Sequence, residues 1–454
     1  MSVVKAIILA AGAGTRMKSN QPKVIHKVLD KTMLDYVIDA AKEAGADEIC
    51  VVVGHGKEEV MASVKEPVHF VTQEEQLGTG HAVMQALDFI GNEGKVFVLF
   101  GDTPLITGAS LSKLSEYHEM NHHKVTVLSA SIQQPDGYGR IVRDLDGNFR
   151  YSIEHKDASP EEKKIKEINS GMYIYNAGIL KESLGELTND NVAGEYYLPD
   201  TLNSIMKKGH KVEAMMIHDF EEILGVNSKV QLFEATNIMK RRINYAHLEA
   251  GVTMMDADCT YIGKDVLIGK DVTILPGCIL EGKTEIADGV ILGPNARIVN
   301  GKIGRASSVE QSTILESQVG EETSVGPYAY IRPGSIIGNH VKIGDFVEIK
   351  NSVIGEGTKV SHLTYVGDAD VGAGVNFGCG TVTVNYDGKK KFRTTIKDHA
   401  FIGCNTNLVS PVTIGENAYT AAGSTITKDV PQNSLAIART RQENKENWVN
   451  RRFE

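Results

Sequence analysis

Three groups of residues in this 454-residue chain have the types and spacing to do chemistry. The first is Leu9-Ala10-Ala11-Gly12-Ala13-Gly14-Thr15-Arg16, followed by Pro22-Lys23. Glycines directly after an apolar run let backbone N–H groups approach phosphate oxygens, and Arg16 and Lys23 add two cations within short reach. Such a turn could hold a triphosphate and neutralise charge that develops during its transfer. It has neither the Gly-Lys-Ser/Thr of a Walker loop nor Gly-x-Gly-x-x-Gly, and a tight structural turn with surface cations is the alternative. The second group is Asp102, in Phe100-Gly-Asp-Thr-Pro-Leu. A carboxylate after Gly at the end of an apolar run is an oxygen ligand for a hard cation, or simply a turn carboxylate. The third is Arg332, Lys350, His362, Tyr365 and Asn376, polar and aromatic breaks in an aliphatic pattern. Paired cations suit a sugar phosphate, and a neutral imidazole can take the proton of an attacking amine. A surface histidine is also often a solvated bystander.

The elements that must position these groups follow from hydrophobic pattern. Residues 1–228 alternate strand and helix signals. Val4–Leu9, Ile49–Val53 and Val96–Phe100 are continuous apolar runs, as in strands buried on both faces. Met33, Leu34, Val37, Ile38 and Ala41 share one helical face. This alternation predicts an open, mostly parallel α/β sheet with ligands beyond its carboxyl ends, where the Gly12–Lys23 turn and Asp102 lie. Ser228-Lys-Val-Gln231 is a capping box opening a linker helix over residues 229–250.

From residue 251 to 454 the period becomes six. Ile262, Ile268, Ile274, Leu280, Ile286, Leu292 and Ile298 stand at unbroken six-residue intervals; Val325 to Ile349 repeats the series, and Ile402, Leu408 and Ile414 resume it. Val266, Val272 and Val290 form a second row of smaller residues. Six is not a multiple of the helical turn, so hexads describe short parallel strands stacked in coils of three. Arg332 and Lys350, 18 residues apart, then stack on one face. Asn385 to Thr394 breaks the period and is expected to be extruded as a loop, and the charged tail from Arg439 is expected to be a loose or docked end.

Composition excludes some function classes. The chain is 41% apolar and 23% charged with a net charge of −10, which argues against partners that need a basic face, such as nucleic acid or anionic membrane. No run approaches the roughly 20 apolar residues of a bilayer span, and Ala6–Ala11 is too short for a signal core. Cys50, Cys259, Cys278, Cys379 and Cys404 form no Cys-x-x-Cys pair, which fits reduced thiols and a cytoplasmic location.

Leu9 to Met17 with Pro22-Lys23 resembles the signature of the sugar-1-phosphate nucleotidyltransferases. Gln73, with Gln76-Leu-Gly78-Thr79-Gly-His-Ala, resembles that family's uracil-reading segment, and Phe100-Gly-Asp102 its metal-binding strand end. Ser361-His-Leu-Thr-Tyr365, Gly378-Cys-Gly380 and Asn385-Tyr386-Asp-Gly-Lys-Lys are similar to an acetyltransferase half. Over essentially its whole length the sequence resembles the bifunctional uridylyltransferase/acetyltransferases that make UDP-N-acetylglucosamine for peptidoglycan and other envelope polysaccharides. The resemblance implies a Rossmann-like nucleotidyltransferase domain, then a left-handed parallel β-helix of hexapeptide repeats, assembled as a homotrimer.

It also implies roles. Leu9, Ala10, Ala11, Gly12, Lys23, Gln73, Gly78 and Thr79 would hold the uridine nucleotide, and Gly139, Glu154, Asn169 and Asn227 the sugar. Asp102 and Asn227 would hold one Mg²⁺, with Arg16 and Lys23 neutralising charge, although Asn227 also fits a local helix cap. His362 would be the general base, and Arg332, Lys350, Tyr365 and Asn376 would bind glucosamine-1-phosphate. Cys379, Asn385, Tyr386, Cys404, Ala422 and Arg439 would line the acetyl-CoA groove. The chain departs from the family at Ala13 and Phe100, where a basic residue and Tyr are usual, and at Cys379 and Cys404, where Ala and Ser are usual. Acetylation of a different amino sugar stays open on residues alone, as do two other readings. One is a nucleotidyltransferase with a purely structural β-helix, which His362 speaks against. The other is a hexapeptide scaffold, which the Gly12–Lys23 turn speaks against.

Overall fold

The apolar runs of the first half become neighbours in one nine-stranded sheet. Its strands are β1 (Val4–Ala10), β2 (Glu48–Val53), β3 (His69–Thr72), β4 (Lys95–Phe100), β5 (Val125–Ser131), β6 (Gly139–Arg143), β7 (Phe149–Ile153), β8 (Glu167–Asn176) and β9 (Val212–Ile217). This computed structural model describes residues 3–453, in two compact units, one ending at Met239 and one beginning at Lys240.

In the first unit the sheet order is β9-β5-β8-β4-β1-β2-β3, with β6 and β7 continuing from β8. β1 is parallel to β2 and β4, whereas β8 is antiparallel to β4, β5 and β6. The sheet is thus parallel around β1 but mixed as a whole, because the antiparallel pair β6 and β7 returns the chain into β8 against its neighbours. Helix α1 (Met33–Glu43) begins in a capping box: Asp35 N–H donates to Thr32 Oγ1 at 3.0 Å, and Thr32 N–H to Asp35 Oδ2 at 3.2 Å. Leu34, Val37, Ile38 and Ala41 of α1 are buried with Ile8, Val51 and Leu99. On the other face Ile7 and Leu9 meet Cys50, Val52 and Val98. Burial on both faces is why these strands read as unbroken apolar runs.

The helix expected over 229–250 forms as Lys229–Glu249. Its cap differs from a simple capping box. Ser228 Oγ accepts from Gln231 N–H at 3.2 Å, but the Gln231 side chain accepts from the N–H of Asn227 at 2.8 Å.

The second unit winds three sheets of eleven, ten and nine strands, every inter-coil ladder parallel, into a left-handed β-helix. Ile262, Leu280, Ile298, Ile314, Ile331 and Ile349 stack inside one sheet, fully buried. Strict hexads lapse in the middle: Ile298, Ile303, Val309, Ile314, Val319 and Val325 follow at steps of five or six, yet all are buried. The corners absorb the missing residues while the inward row is kept. The second row holds Val266, Val272 and Val290, and farther along it is often Ser or Thr. Their hydroxyls are satisfied by backbone, as in Ser307 Oγ to Gly320 O at 2.7 Å and Ser317 Oγ to Arg332 O at 2.8 Å.

The interruption at 385–394 leaves the ladder intact, since Val382 still pairs with Asn407. From Arg439 to Arg452 every residue is exposed, ending in the short helix Trp448–Phe453. All five cysteines are free. Among the described residues no helix is long and apolar enough to cross a membrane.

Candidate active sites

In the first unit a cavity of about 330 Å³ opens at the carboxyl ends of β1 and β4. β1 lies between β2 and β4, and the chain, having run from β1 through β2 to β3 on one side, crosses back to β4 on the other, the switch point at which such sheets bind ligands. Leu9, Ala10, Ala11, Gly12, Lys23, Gln73, Gly78, Thr79 and Asp102 all line this cavity. Leu9 and Phe100 are register partners, which brings the glycine turn alongside Asp102. Gly14 adopts φ +60°, and a Cβ there would meet Lys23 Cβ at 2.6 Å, so glycine lets the lysine stem cross the turn. Arg16 is exposed in the turn Thr15–Met17 and is not among the lining residues.

Lys23 Nζ pairs with the Asp102 carboxylate and donates to Asn227 Oδ1 at 3.0 Å. Both oxygens are set from the backbone. Val226 N–H donates to Asp102 O at 2.8 Å, and Gln231 holds the Asn227 N–H. Two oxygen donors therefore converge on one positive charge, which suits a hard divalent cation that fills its remaining positions with water and substrate phosphate. Among the described residues no cluster of three or more His, Cys, Asp or Glu offers a separate metal site.

Gly139, Glu154 and Asn169 form a second cluster. Gly139 and Asn169 are register partners, and a Cβ at 139 would lie 3.5 Å from both Asn169 Cβ and Glu154 Oε1. Asn169 is buried, its amide donating to Ser152 Oγ and Tyr173 Oη at 3.0 Å. Burial, with Asp200 and Asp157 adding to it, raises the Glu154 carboxyl above its ordinary range. The native state therefore holds this proton more tightly than the unfolded chain, and stability falls as pH rises through that interval. Glu154→Gln is expected to increase resistance to urea at neutral pH, with the gain disappearing below about pH 4, the ordinary glutamate range. Urea titrations at both pH values check this.

Glu195, which sequence reasoning missed, also lines this first-unit cavity. It belongs to no motif and arrives because Tyr196 N–H donates to Leu77 O while Gly80 N–H donates to Tyr196 O, each at 2.8 Å.

In the second unit Arg332, Lys350 and Tyr365 belong to one sheet of the coil and His362 and Asn376 to another. Arg332 N–H donates to Ile349 O at 2.8 Å, which sets Arg332 beside Lys350 one coil apart. Each cation has its carboxylate: Arg332 with Glu348 at 2.8 Å, and Lys350 with Asp368 at 3.2 Å. Burial works to raise the Asp368 carboxyl, but hydrogen bonds from Asn351, Lys350 and Asn385 outweigh it and hold the group below its usual range. Asn385 donates to Asp368 at 2.5 Å and to Tyr365 Oη at 3.3 Å. Expected against acetyl-CoA, Asn385 thus sits among the cation-holding groups. A Cβ at Gly367 would strike Tyr365 Oη, so glycine keeps the ring close.

His362 starts a separate column. Register runs from Val360 to Phe377, Ile402 and Thr420 on successive coils. His362, Cys379, Cys404 and Ala422 each stand two residues after one of these, so they line one corner coil by coil. Beyond the imidazole this edge carries only small side chains, leaving backbone open to an extended ligand. Arg439 lies at its far end, with Cδ 3.7 Å from the Cβ position of Gly423. Asn376 pairs with Lys359 and Phe401 in the same sheet as His362. Tyr386 is exposed on the loop, its hydroxyl donating to Gly388 O at 2.7 Å. His362 Nδ1 lies 2.5 Å from Asp345 Oδ1, a partner that the sequence reading missed. The signal was present: Asp345 follows Ile343 as His362 follows Val360, two residues on.

Comparison with known proteins finds a different family model in each unit. A family model for the MobA-like NTP transferase domain matches residues 6–158, and one for the bacterial transferase hexapeptide (six repeats) matches 260–300, 316–351 and 393–428. The chain is 56% identical to the Bifunctional protein GlmU of Caldanaerobacter subterraneus subsp. tengcongensis, over 100% of this chain and 99% of the relative. It is 54% identical to that of Clostridium acetobutylicum over 98% of both chains, and 55% identical to that of Thermoanaerobacter pseudethanolicus over 100% of this chain and 99% of the relative. Identity at this level, carried across the first unit and the hexapeptide coils alike, means that the chain belongs to the GlmU family of bifunctional proteins.

Proposed function

We infer that the chain makes UDP-N-acetylglucosamine in two steps, acetylating glucosamine-1-phosphate with acetyl-CoA and then transferring uridylyl from UTP to the product. One observation carries this reading: a phosphate-type cavity stands in one unit, and a carboxylate-paired imidazole and two cations stacked one coil apart stand in the other, within a chain of the bifunctional family.

In acetyl transfer Arg332 and Lys350 hold the sugar phosphate, with Tyr365 and Asn376 against the sugar. The amine attacks the thioester carbon while His362 Nε2 takes its proton; the C–S bond breaks, and the proton passes to the leaving sulfur. No acyl-enzyme is needed, so Cys379 and Cys404 act as small wall residues. Cys379, Asn385, Tyr386, Cys404, Ala422 and Arg439 line one side of the coenzyme groove. That side is only half a groove, so the chain works as a homotrimer with acetyl-CoA held between subunits.

In uridylyl transfer a sugar-1-phosphate oxygen attacks the α-phosphorus of UTP and pyrophosphate leaves. The Leu9–Gly12 backbone, Gln73, Gly78 and Thr79 orient the nucleotide, and Gly139, Glu154, Asn169 and Asn227 orient the sugar. Lys23 and Arg16 offset developing charge. Mg²⁺ held by Asp102 and Asn227 supplies further neutralisation of the phosphates when bound.

The test is direct. Purified chain given glucosamine-1-phosphate, acetyl-CoA, UTP and Mg²⁺ is expected to release coenzyme A thiol and pyrophosphate and to form UDP-N-acetylglucosamine. Coenzyme A release without a nucleotide sugar, or the converse with N-acetylglucosamine-1-phosphate, would remove one activity from the reading.

A further inference from the structure

The best-defined polar contact that the proposed chemistry does not use joins His362 to the preceding coil. Its Nδ1 is 2.5 Å from Asp345 Oδ1. The two residues are register partners in adjacent strands, Lys342–Asp345 and Lys359–His362. Backbone fixes them independently of that contact, since Leu363 N–H donates to Asp345 O at 2.9 Å. Just before Asp345, a Cβ at Gly344 would collide with the Ser361 carbonyl. Glycine there lets the two coils approach closely enough for the side chains to meet. On the other side, the Phe346 ring stacks on Tyr328 with centroids 5.4 Å apart and planes 10° from parallel, which steadies the corner.

An exposed ion pair of this kind contributes little to stability. Its geometry has more consequence than its energy. The imidazole contact in turn holds the Asp345 carboxyl below its usual range, so the partner of His362 is a carboxylate, which can only accept.

We propose that Asp345 is a positioning residue for acetyl transfer: it accepts the Nδ1–H of His362, fixes that tautomer, and turns Nε2 with its lone pair toward the substrate amine. The inference rests on the reading of His362 as general base. As the nitrogen–acyl bond forms, the amine proton moves to Nε2, and the imidazolium charge then faces the Asp345 carboxylate. When the carbon–sulfur bond breaks, the proton passes to the thiolate, giving coenzyme A thiol and restoring the neutral ring with its Nδ1–H still held. The same logic orients histidines in other acyl-transfer sites through a second ring contact.

The experiment compares Asp345→Ala, Asp345→Asn and His362→Ala in the full chain. Asp345→Ala is expected to lower kcat for acetyl transfer about 10- to 100-fold, a part of the effect of a general base, with KM for glucosamine-1-phosphate little changed. Asparagine keeps an acceptor oxygen without the charge, so Asp345→Asn is expected to recover part of the lost kcat. Ring ¹⁵N spectra of His362 should show the Nδ1–H tautomer in the parent chain and growth of the Nε2–H tautomer in Asp345→Ala. Thermal unfolding followed by far-UV circular dichroism reports folding of the β-helix in each variant. If Asp345→Ala keeps kcat within two-fold and the tautomer unchanged while His362→Ala is inactive, the positioning role is wrong and the base stands. If His362→Ala itself retains acetyl transfer, the base reading fails and the positioning role falls with it.

Discussion

Replacing His362 with Ala is expected to lower acetyl transfer to glucosamine-1-phosphate by about 10²- to 10⁴-fold, the contribution of a positioned general base. Coenzyme A release from acetyl-CoA measures it. The side chain is exposed at a β-helix corner, so truncation removes no core packing, and the inward residue of that strand, Val360, stays buried. The variant should fold. Uridylyl transfer, assigned to the other unit, is expected at the parent rate. A loss confined to KM would instead make His362 a binding contact, because a group acting only as the bond forms lowers kcat.

Asp102→Ala is expected to do the reverse, lowering uridylyl transfer by about 10²- to 10³-fold, the scale on which removal of one preorganised electrostatic group acts. Pyrophosphate release from UTP and N-acetylglucosamine-1-phosphate measures it. Two effects add. One of two cation-facing oxygens disappears, and the Lys23 ammonium keeps only Asn227 of the two partners that hold it now. The turn itself should persist, since the hydrogen bond from Val226 N–H reaches the backbone carbonyl of Asp102. Raising Mg²⁺ should recover part of the activity if the lost oxygen served the metal. Acetyl transfer is expected to be unchanged.

Much of this arrangement could be read from residue order, and the reasons differ between the units. In the β-helix each inward residue repeats its neighbour's environment, so Ile262 to Ile298 announce the stack directly. The five-residue steps at Ile303 and Ile314 hide it, because only the corner conformation changes while burial does not. In the first unit β1, β2 and β4 were legible as doubly buried runs. The antiparallel entry of β8 was not, since strand direction depends on the intervening path and not on composition.

The sites divide along the same line. Lys23 and Asp102 lie close to strand ends in recognisable turns, and the fold pairs them directly. Asn227 joins them because the neighbouring Val226 N–H reaches Asp102 O across the fold, while Gln231 holds the Asn227 N–H locally. Glu195 and Asp368 carry no local signature, and their places are set by distant chain crossing the pocket mouth or by the next coil. Asn385 shows the limit of pattern most clearly. An interruption of the hexads marks a loop, but only the folded coil reveals that its first residue turns inward to Asp368 and Tyr365.

The division of labour between the two units is tested most directly by mixing the two inactive halves. His362→Ala and Asp102→Ala proteins are each supplied with glucosamine-1-phosphate, acetyl-CoA, UTP and Mg²⁺, separately and together, and UDP-N-acetylglucosamine is quantified. Each variant alone should make it only at the residual rate of its impaired step, while the mixture should make it about 10²-fold faster or more, because N-acetylglucosamine-1-phosphate formed by Asp102→Ala protein is taken up by His362→Ala protein. A mixture as inactive as its components, with both proteins folded, would mean that the reactions share one site.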